Sequence, residues 1–202
     1  MRLEKNYEEK KNCSTYALYT LGLIKDAFLK LVDEESYSKV NIARICREAG
    51  ITRSTFHVHY SSVTDVLNDV LNDALLLTET NPVPFFAGNG KSLDYLKSNE
   101  SLVPACQRIG DSGKYQKLLM DPDLSEYIIG RIVVNERDTV LPAVIEKTHL
   151  PREDAETLFR YVIHGSFAVN RAHNFVKDEK WPHDVQMLNE FAEAGYERLS
   201  RK

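Results

Sequence analysis

The chain has 202 residues, 43% of them apolar and 28% charged, with a net charge of −4. These values are those of a soluble globular protein able to bury a small and a larger domain, and the acidic balance argues against a general nucleic-acid coat. No run approaches ~18 consecutive apolar residues and the charged start MRLEKNYEEKKN lacks the apolar core of a signal peptide, so neither a membrane span nor export is expected, and a cytoplasmic location follows.

Residues 1–13 read as a flexible N-terminal arm. A first helix is predicted over Thr20 to Val32, where Leu21, Ile24, Phe28 and Leu31 recur at helical steps. It ends in Asp33-Glu34-Glu35, at the far end of that helix. Asn41 to Ala49 gives a second helix, stopped at Gly50, where the backbone must turn left-handed and glycine does so without a Cβ penalty. Thr52 follows two residues later and caps a third helix, so the connection is a turn and not a loop. Ile42, Ile45 and Ala49 form one apolar stripe, and Ile51, Phe56 and Tyr60 close over it. Cys46 lies beside the stripe, where two helices in close approach need a small side chain. Arg53, Ser54, Thr55, His57 and Val58 are left facing away from that core. Such an element presents its N-terminal end to base edges in a major groove. A fourth helix, Ser62 to Leu77, carries Val63, Val66, Leu67, Val70, Leu71, Ala74 and Leu75, with Ser62 or Thr64 to cap it.

That order, a supporting helix, a helical pair and a connecting helix, resembles the TetR family of transcriptional regulators. The resemblance rests on Cys46, Ala49-Gly50-Ile51, Thr52, Phe56-His57 and His59-Tyr60, covers roughly residues 15 to 75, and is only architectural beyond them. It implies a DNA-binding domain over 14–62, followed over 63–202 by a connecting helix and a helical effector-binding and dimerisation domain. Two positions depart from the family's pattern. His57 stands where a tyrosine usually meets the DNA backbone, and Val63 stands where a lysine usually does. The candidate DNA contacts are Lys39, Arg44, Thr52, Arg53, Ser54, Thr55, His57, Val58 and His59. Lys39, Arg44 and Arg53, with Lys10 and Lys11, can converge on one side. Between Ser14 and Val66 the cations Lys25, Lys30, Lys39, Arg44, Arg47 and Arg53 are matched by Asp26, Asp33, Glu34, Glu35, Glu48 and Asp65, so which face carries the charge decides DNA binding.

Beyond Leu77 the pattern breaks at Asn81-Pro82-Val83-Pro84 and at Gly88-Asn89-Gly90. Helices are then predicted over Ser92 to Ile109, divided at Pro104; over Tyr115 to Met120; over Leu124 to Lys147, kinked at Pro142; from Pro151 to about Val176; and from Pro182 to Leu199. No segment alternates with period two, so the fold class is all-α. The last two long helices, with the small-residue patch Gly165-Ser166-Phe167-Ala168, either pack against a second copy as a four-helix bundle or bury both stripes within one subunit. A homodimer would place two reading helices about 34 Å apart on a near-palindromic double-stranded operator. In this family a small-molecule effector binds the larger domain. Candidate lining residues are Phe85, Phe86, Tyr95, Cys106, Tyr115 and Tyr127, together with Arg131, Tyr161, His164, Phe167 and His173. Their aromatic character suits an apolar or aromatic molecule, although an aromatic at helical spacing is more often packing than pocket. His164, between Ile163 and Gly165, is either a hydrogen-bonded core histidine or a ligand contact.

Other chemistry finds little support. Cys13, Cys46 and Cys106 lie far apart with no Cys-x-x-Cys pair, so neither a disulfide framework nor a zinc site is expected. Reduced thiols are the plain reading, and Cys106 as a redox or ligand sensor is the alternative, which requires a depressed thiol pKa. His57-Val58-His59 cannot converge on a metal from one helix, and no third ligand is near. There is no Gly-x-Ser-x-Gly elbow, phosphate-cradling loop or framed carboxylate pair, so no catalytic role and no cofactor are expected. Two binding functions remain: a ligand-responsive repressor, or a module of the same fold that contacts another protein.

Overall fold

The computed structural model describes residues 15–77 and 104–200. The predicted arm over 1–13, with Lys10, Lys11 and Cys13, the breakers at Pro82 and Gly88, and Phe85, Phe86 and Tyr95 lie outside the described residues. Those described are helical, without a strand among them, and fall into two compact units divided between Val70 and Leu71. The all-α class is therefore observed. The division lies within the helix that the sequence assigned to the connection.

The first unit contains α1 (Thr15–Glu34), a 3-10 turn (Tyr37–Lys39), α2 (Ile42–Ala49), α3 (Arg53–His59) and the start of α4 (Val63–Leu76). Helix α1 extends N-terminal to Thr20, whose hydroxyl donates back to the Tyr16 carbonyl at 3.0 Å, as a threonine within a helix can. Ile24, Phe28 and Leu31 of α1, Ile45 and Cys46 of α2, Phe56 of α3, and Val66 and Val70 of α4 are buried. Complete burial of Phe28 and Phe56 contributes about 1.5–3 kcal/mol each. The ring of Tyr37 meets Phe28 edge-on at 6.2 Å, which anchors the turn after α1.

The second unit contains α5 (Ala105–Asp111), α6 (Gln116–Met120), a 3-10 turn (Pro122–Leu124), α7 (Ser125–Thr148), α8 (Arg152–Ala172) and α9 (Trp181–Ser200). Helices α7, α8 and α9 pack on one another, and α8 also packs on α5. Their common interior holds Ile128, Ile132, Leu141 and Val144 of α7, Phe159 and Phe167 of α8, and Trp181 and Val185 of α9. Pro142 lies inside α7, exposed, so its missing N–H falls on the solvated side.

Helix α8 stops at Ala172, short of the Val176 that periodicity suggests. The reason is a reversal at Asn174 and Phe175, which take φ of 53° and 54°, left-handed values uncommon for residues with a Cβ. The turn drives Phe175 into the interior, where its ring meets Phe167 at 5.3 Å. Gly110 makes room for it, since a Cβ there would stand 2.6 Å from the Phe175 Cβ.

Candidate nucleic-acid interface

The turn between α2 and α3 is built from three local devices. The Asn41 side chain accepts the Arg44 N–H at 3.1 Å and caps the start of α2. At the other end Gly50 is left-handed, with φ 66°. The Gly50 N–H reaches the Arg47 carbonyl at 3.4 Å and the Ile51 N–H reaches that of Cys46 at 2.9 Å, the double closure of a Schellman stop. Thr52 then accepts the Thr55 N–H at 3.1 Å and starts α3. Buried Cys46 aims its thiol at the Thr52 carbonyl, 3.8 Å away, in the elbow between the two helices. Burial pushes that thiol's pKa up.

Helix α3 is clamped from behind. Phe56 is fully buried, and Tyr60, which ends the helix, donates from its hydroxyl to Asp69 at 2.7 Å, with the Lys25 ammonium 3.6 Å from the same carboxylate. The Asp65 carboxylate accepts the Ser61 and Ser62 N–H groups at 3.0 and 2.8 Å, and the Ser62 hydroxyl accepts the Asp65 N–H at 3.2 Å. This reciprocal box identifies Ser62, not Thr64, as the cap of α4. It also places a carboxylate where Val63 already removes an expected cation.

With its buried side so fixed, α3 turns Arg53, Ser54, His57 and Val58 to solvent, with Thr55 and His59 half-buried. Val58 is 78% exposed, an aliphatic side chain in the middle of a short helix with little to pack against. Arg53 forms no ion pair with any described residue. Not every candidate contact is equally available. The Thr52 hydroxyl is committed to capping and is also bonded to those of Ser54 and Thr55, at 2.7 and 2.9 Å. His57 is packed edge-on against Phe56, with ring centroids 5.5 Å apart.

Arg44 is held from within the chain. Its guanidinium is engaged by Glu35 in a two-pronged pair, Nη1 to Oε2 at 3.1 Å and Nη2 to Oε1 at 2.5 Å, and Nη1 also donates to the Lys39 carbonyl at 3.2 Å. The Lys39 ammonium lies 3.9 Å from the same Glu35. Glu35, the last residue of the acidic run at the far end of α1, thus meets these cations across the 3-10 turn. Hydrogen bonding to Arg44 holds the Glu35 carboxyl below the usual carboxylate range. Lys30 is similarly engaged with Glu48 at 2.5 Å. These pairings remove anions from play as well as cations. Arg53, beyond the turn, takes part in none of these pairings.

The described effector candidates differ widely in exposure and in the partners they take. Cys106 is buried, takes a hydrogen bond from Asn170 at 3.6 Å, and has its thiol pKa pushed up to about 12 by burial, the opposite of what a reactive sensor thiol requires. Tyr115 and Phe167 are buried, whereas Tyr127 and Tyr161 are 40% and 62% exposed. His164 is exposed, neither a core histidine nor enclosed for a ligand. Arg131 donates to Asn72 at 2.5 Å. His173 is bonded to Asp178 and Asp184. An open groove of about 230 Å³ exists between α8 and α9, lined by Leu158, Tyr161, Val162, Phe191, Ala192, Gly195, Tyr196 and Leu199, and only Tyr161 of the candidates belongs to it. Among the described residues no cluster of histidine, cysteine and carboxylate side chains is arranged to hold a metal, and no helix is long and apolar enough to cross a membrane. No protein-family model, curated protein or solved structure matches the chain.

Proposed function

We propose that the chain is a TetR-like, ligand-responsive transcriptional repressor that binds a near-palindromic operator as a homodimer. The observation that carries this reading is the α2–turn–α3 unit. Its Schellman stop, Thr52 cap and buried Phe56 leave one solvent face bearing Arg53, His57 and Val58. Those residue types suit a major groove: an arginine for guanine, an aliphatic group for a thymine methyl and an imidazole within reach of phosphate.

The homodimer is supported by the α8–α9 groove. Its lining is almost entirely apolar, and Phe191 and Tyr161 on its rim are 64% and 62% exposed. Gly165 and Gly195 keep open space where a Cβ would stand, so a helix of a second copy can approach closely. The effector part rests on the family resemblance alone. A thermal-shift screen of apolar and aromatic molecules tests it.

The DNA reading is tested by selecting duplexes from a random-sequence pool and titrating the enriched duplex at several salt concentrations. Affinity that falls with salt is expected, and Arg53→Ala should weaken it by about 1–3 kcal/mol if Arg53 reads a base. No enriched sequence and no salt-dependent binding would leave the second reading, a module of the same fold that acts through a protein partner. The engagement of Arg44 by Glu35 and the carboxylate at the start of α4 favour that reading.

A further inference from the structure

The corner between α8 and α9 carries a cluster that neither the DNA reading nor the groove uses. His173, at the end of α8 and with its side chain only 8% exposed, stands between two carboxylates. Its Nδ1 lies 2.8 Å from Asp178 on the turn, and its Nε2 lies 3.1 Å from Asp184 in the first turn of α9. A neutral imidazole has one N–H and one lone pair. Either tautomer would therefore turn a lone pair toward a carboxylate oxygen, and only the imidazolium donates to both.

We propose that His173 is a proton-operated latch on this corner: as imidazolium it ties Asp178 to Asp184, and loss of its proton releases the start of α9 from the end of α8. The latch is placed where release would matter. The other Asp178 oxygen accepts the Lys180 and Trp181 N–H groups at 3.0 and 2.8 Å, so the carboxylate that holds His173 also starts α9. The corner contains the left-handed Asn174 and Phe175. Buried Trp181 donates its indole N–H to Asn170 of α8 at 2.7 Å, so a loosened corner would disturb the interior. The surrounding charges reinforce the arrangement. Lys180 lies 3.3 Å from Asp184, Lys177 pairs with Asp111 of α5 at 2.6 Å, and Arg171 is turned away to the Met120 carbonyl and the Ser125 hydroxyl.

The electrostatics agrees in sign. The hydrogen bond to Asp178 raises the His173 pKa above its ordinary value, against desolvation and with help from Asp184. A raised imidazole contributes stability that is fully present below its unfolded pKa and is lost as pH rises through the folded one. Asp178 is lowered by its bond to His173. Desolvation raises Asp184, but bonds from His173 and Lys180 outweigh it. Those carboxylates contribute stability present above their unfolded pKa and lost as pH falls through the lowered folded values. The corner is therefore strongest between the two limits and opens on the alkaline side.

Nitrogen NMR of the histidine rings in the full chain tests this directly. The His173 ring should titrate with an apparent pKa above the ordinary ~6.5, with both nitrogens protonated below it. Thermal unfolding of the wild type should lose roughly 3 °C more than that of His173→Gln between pH ~6 and pH ~9. Where His173→Gln does not fold, Asp184→Asn supplies the second arm and should move the His173 titration toward the ordinary imidazole value. A His173 titration at or below the ordinary ~6.5, or one unmoved by Asp184→Asn, overturns the latch. Neither outcome depends on DNA binding or self-association.

Discussion

In the first unit the side chains that shape the backbone act over three or four residues. Asn41 caps α2, Thr52 caps α3 and Ser62 with Asp65 caps α4, while the unit's longer-range polar ties, among them Lys25 to Asp69, Lys30 to Glu48 and Arg44 to Glu35, join side chains that keep some exposure. In the second unit the decisive polar groups are buried between helices. Asn170 joins α8 to the α9 indole and to the Cys106 thiol, and Gln107 of α5 donates to the Phe175 carbonyl at 2.8 Å. Local capping fixes a short turn while leaving the outer face free to touch something else. A buried network fixes the packing of long helices, and an error in it strands polar groups away from water.

The contrast is sharpest at Trp181. Replacing it with alanine should cost about 3–5 kcal/mol in denaturant unfolding of the second unit, because an almost fully buried ring is lost and Asn170 loses a donor. A loss below about 1 kcal/mol would show that this network is not what holds α9. Thr52→Ala removes a local cap, and a smaller cost, about 1 kcal/mol, is expected. If circular dichroism and unfolding showed a loss as large as that of Trp181→Ala, the distinction between the two units would fail. Glu35→Gln is expected to change stability least and to alter DNA binding instead. By releasing Arg44 and Lys39 it should tighten binding to the selected duplex and steepen the salt dependence by about one phosphate contact. An unchanged slope would mean that these cations do not face DNA.

Much of the first unit was legible in the sequence for the same reason that it is stable. Gly50, Thr52 and the stripe ending in Phe56 act on their immediate neighbours, so residue type and spacing already contain the geometry. The pairing of Glu35 with Arg44 was not legible, because the 3-10 turn over Tyr37–Lys39 returns the acidic run to α2, and nothing in local spacing encodes that return. In the second unit the long helices were evident from their apolar period. Their ends were less so: the apolar period of α8 reads on through residues 173–176, but Phe175 turns in against Phe167, into space that a Cβ at Gly110 would fill. His164 and His173 show the limit most plainly. The apolar neighbours of His164 suggested burial and it is exposed, whereas His173 looked like one more aromatic in a helix and is clasped by two carboxylates.

The sequence by itself determined the helical class, the stop at Gly50, the start at Thr52 and the residues that α3 turns outward. These follow from backbone preferences and from a period of 3.6, which act within a few residues. Only the tertiary structure decided which cations remain available and which buried groups meet. Charge pairing and burial depend on distances between segments that the chain brings together only when it folds.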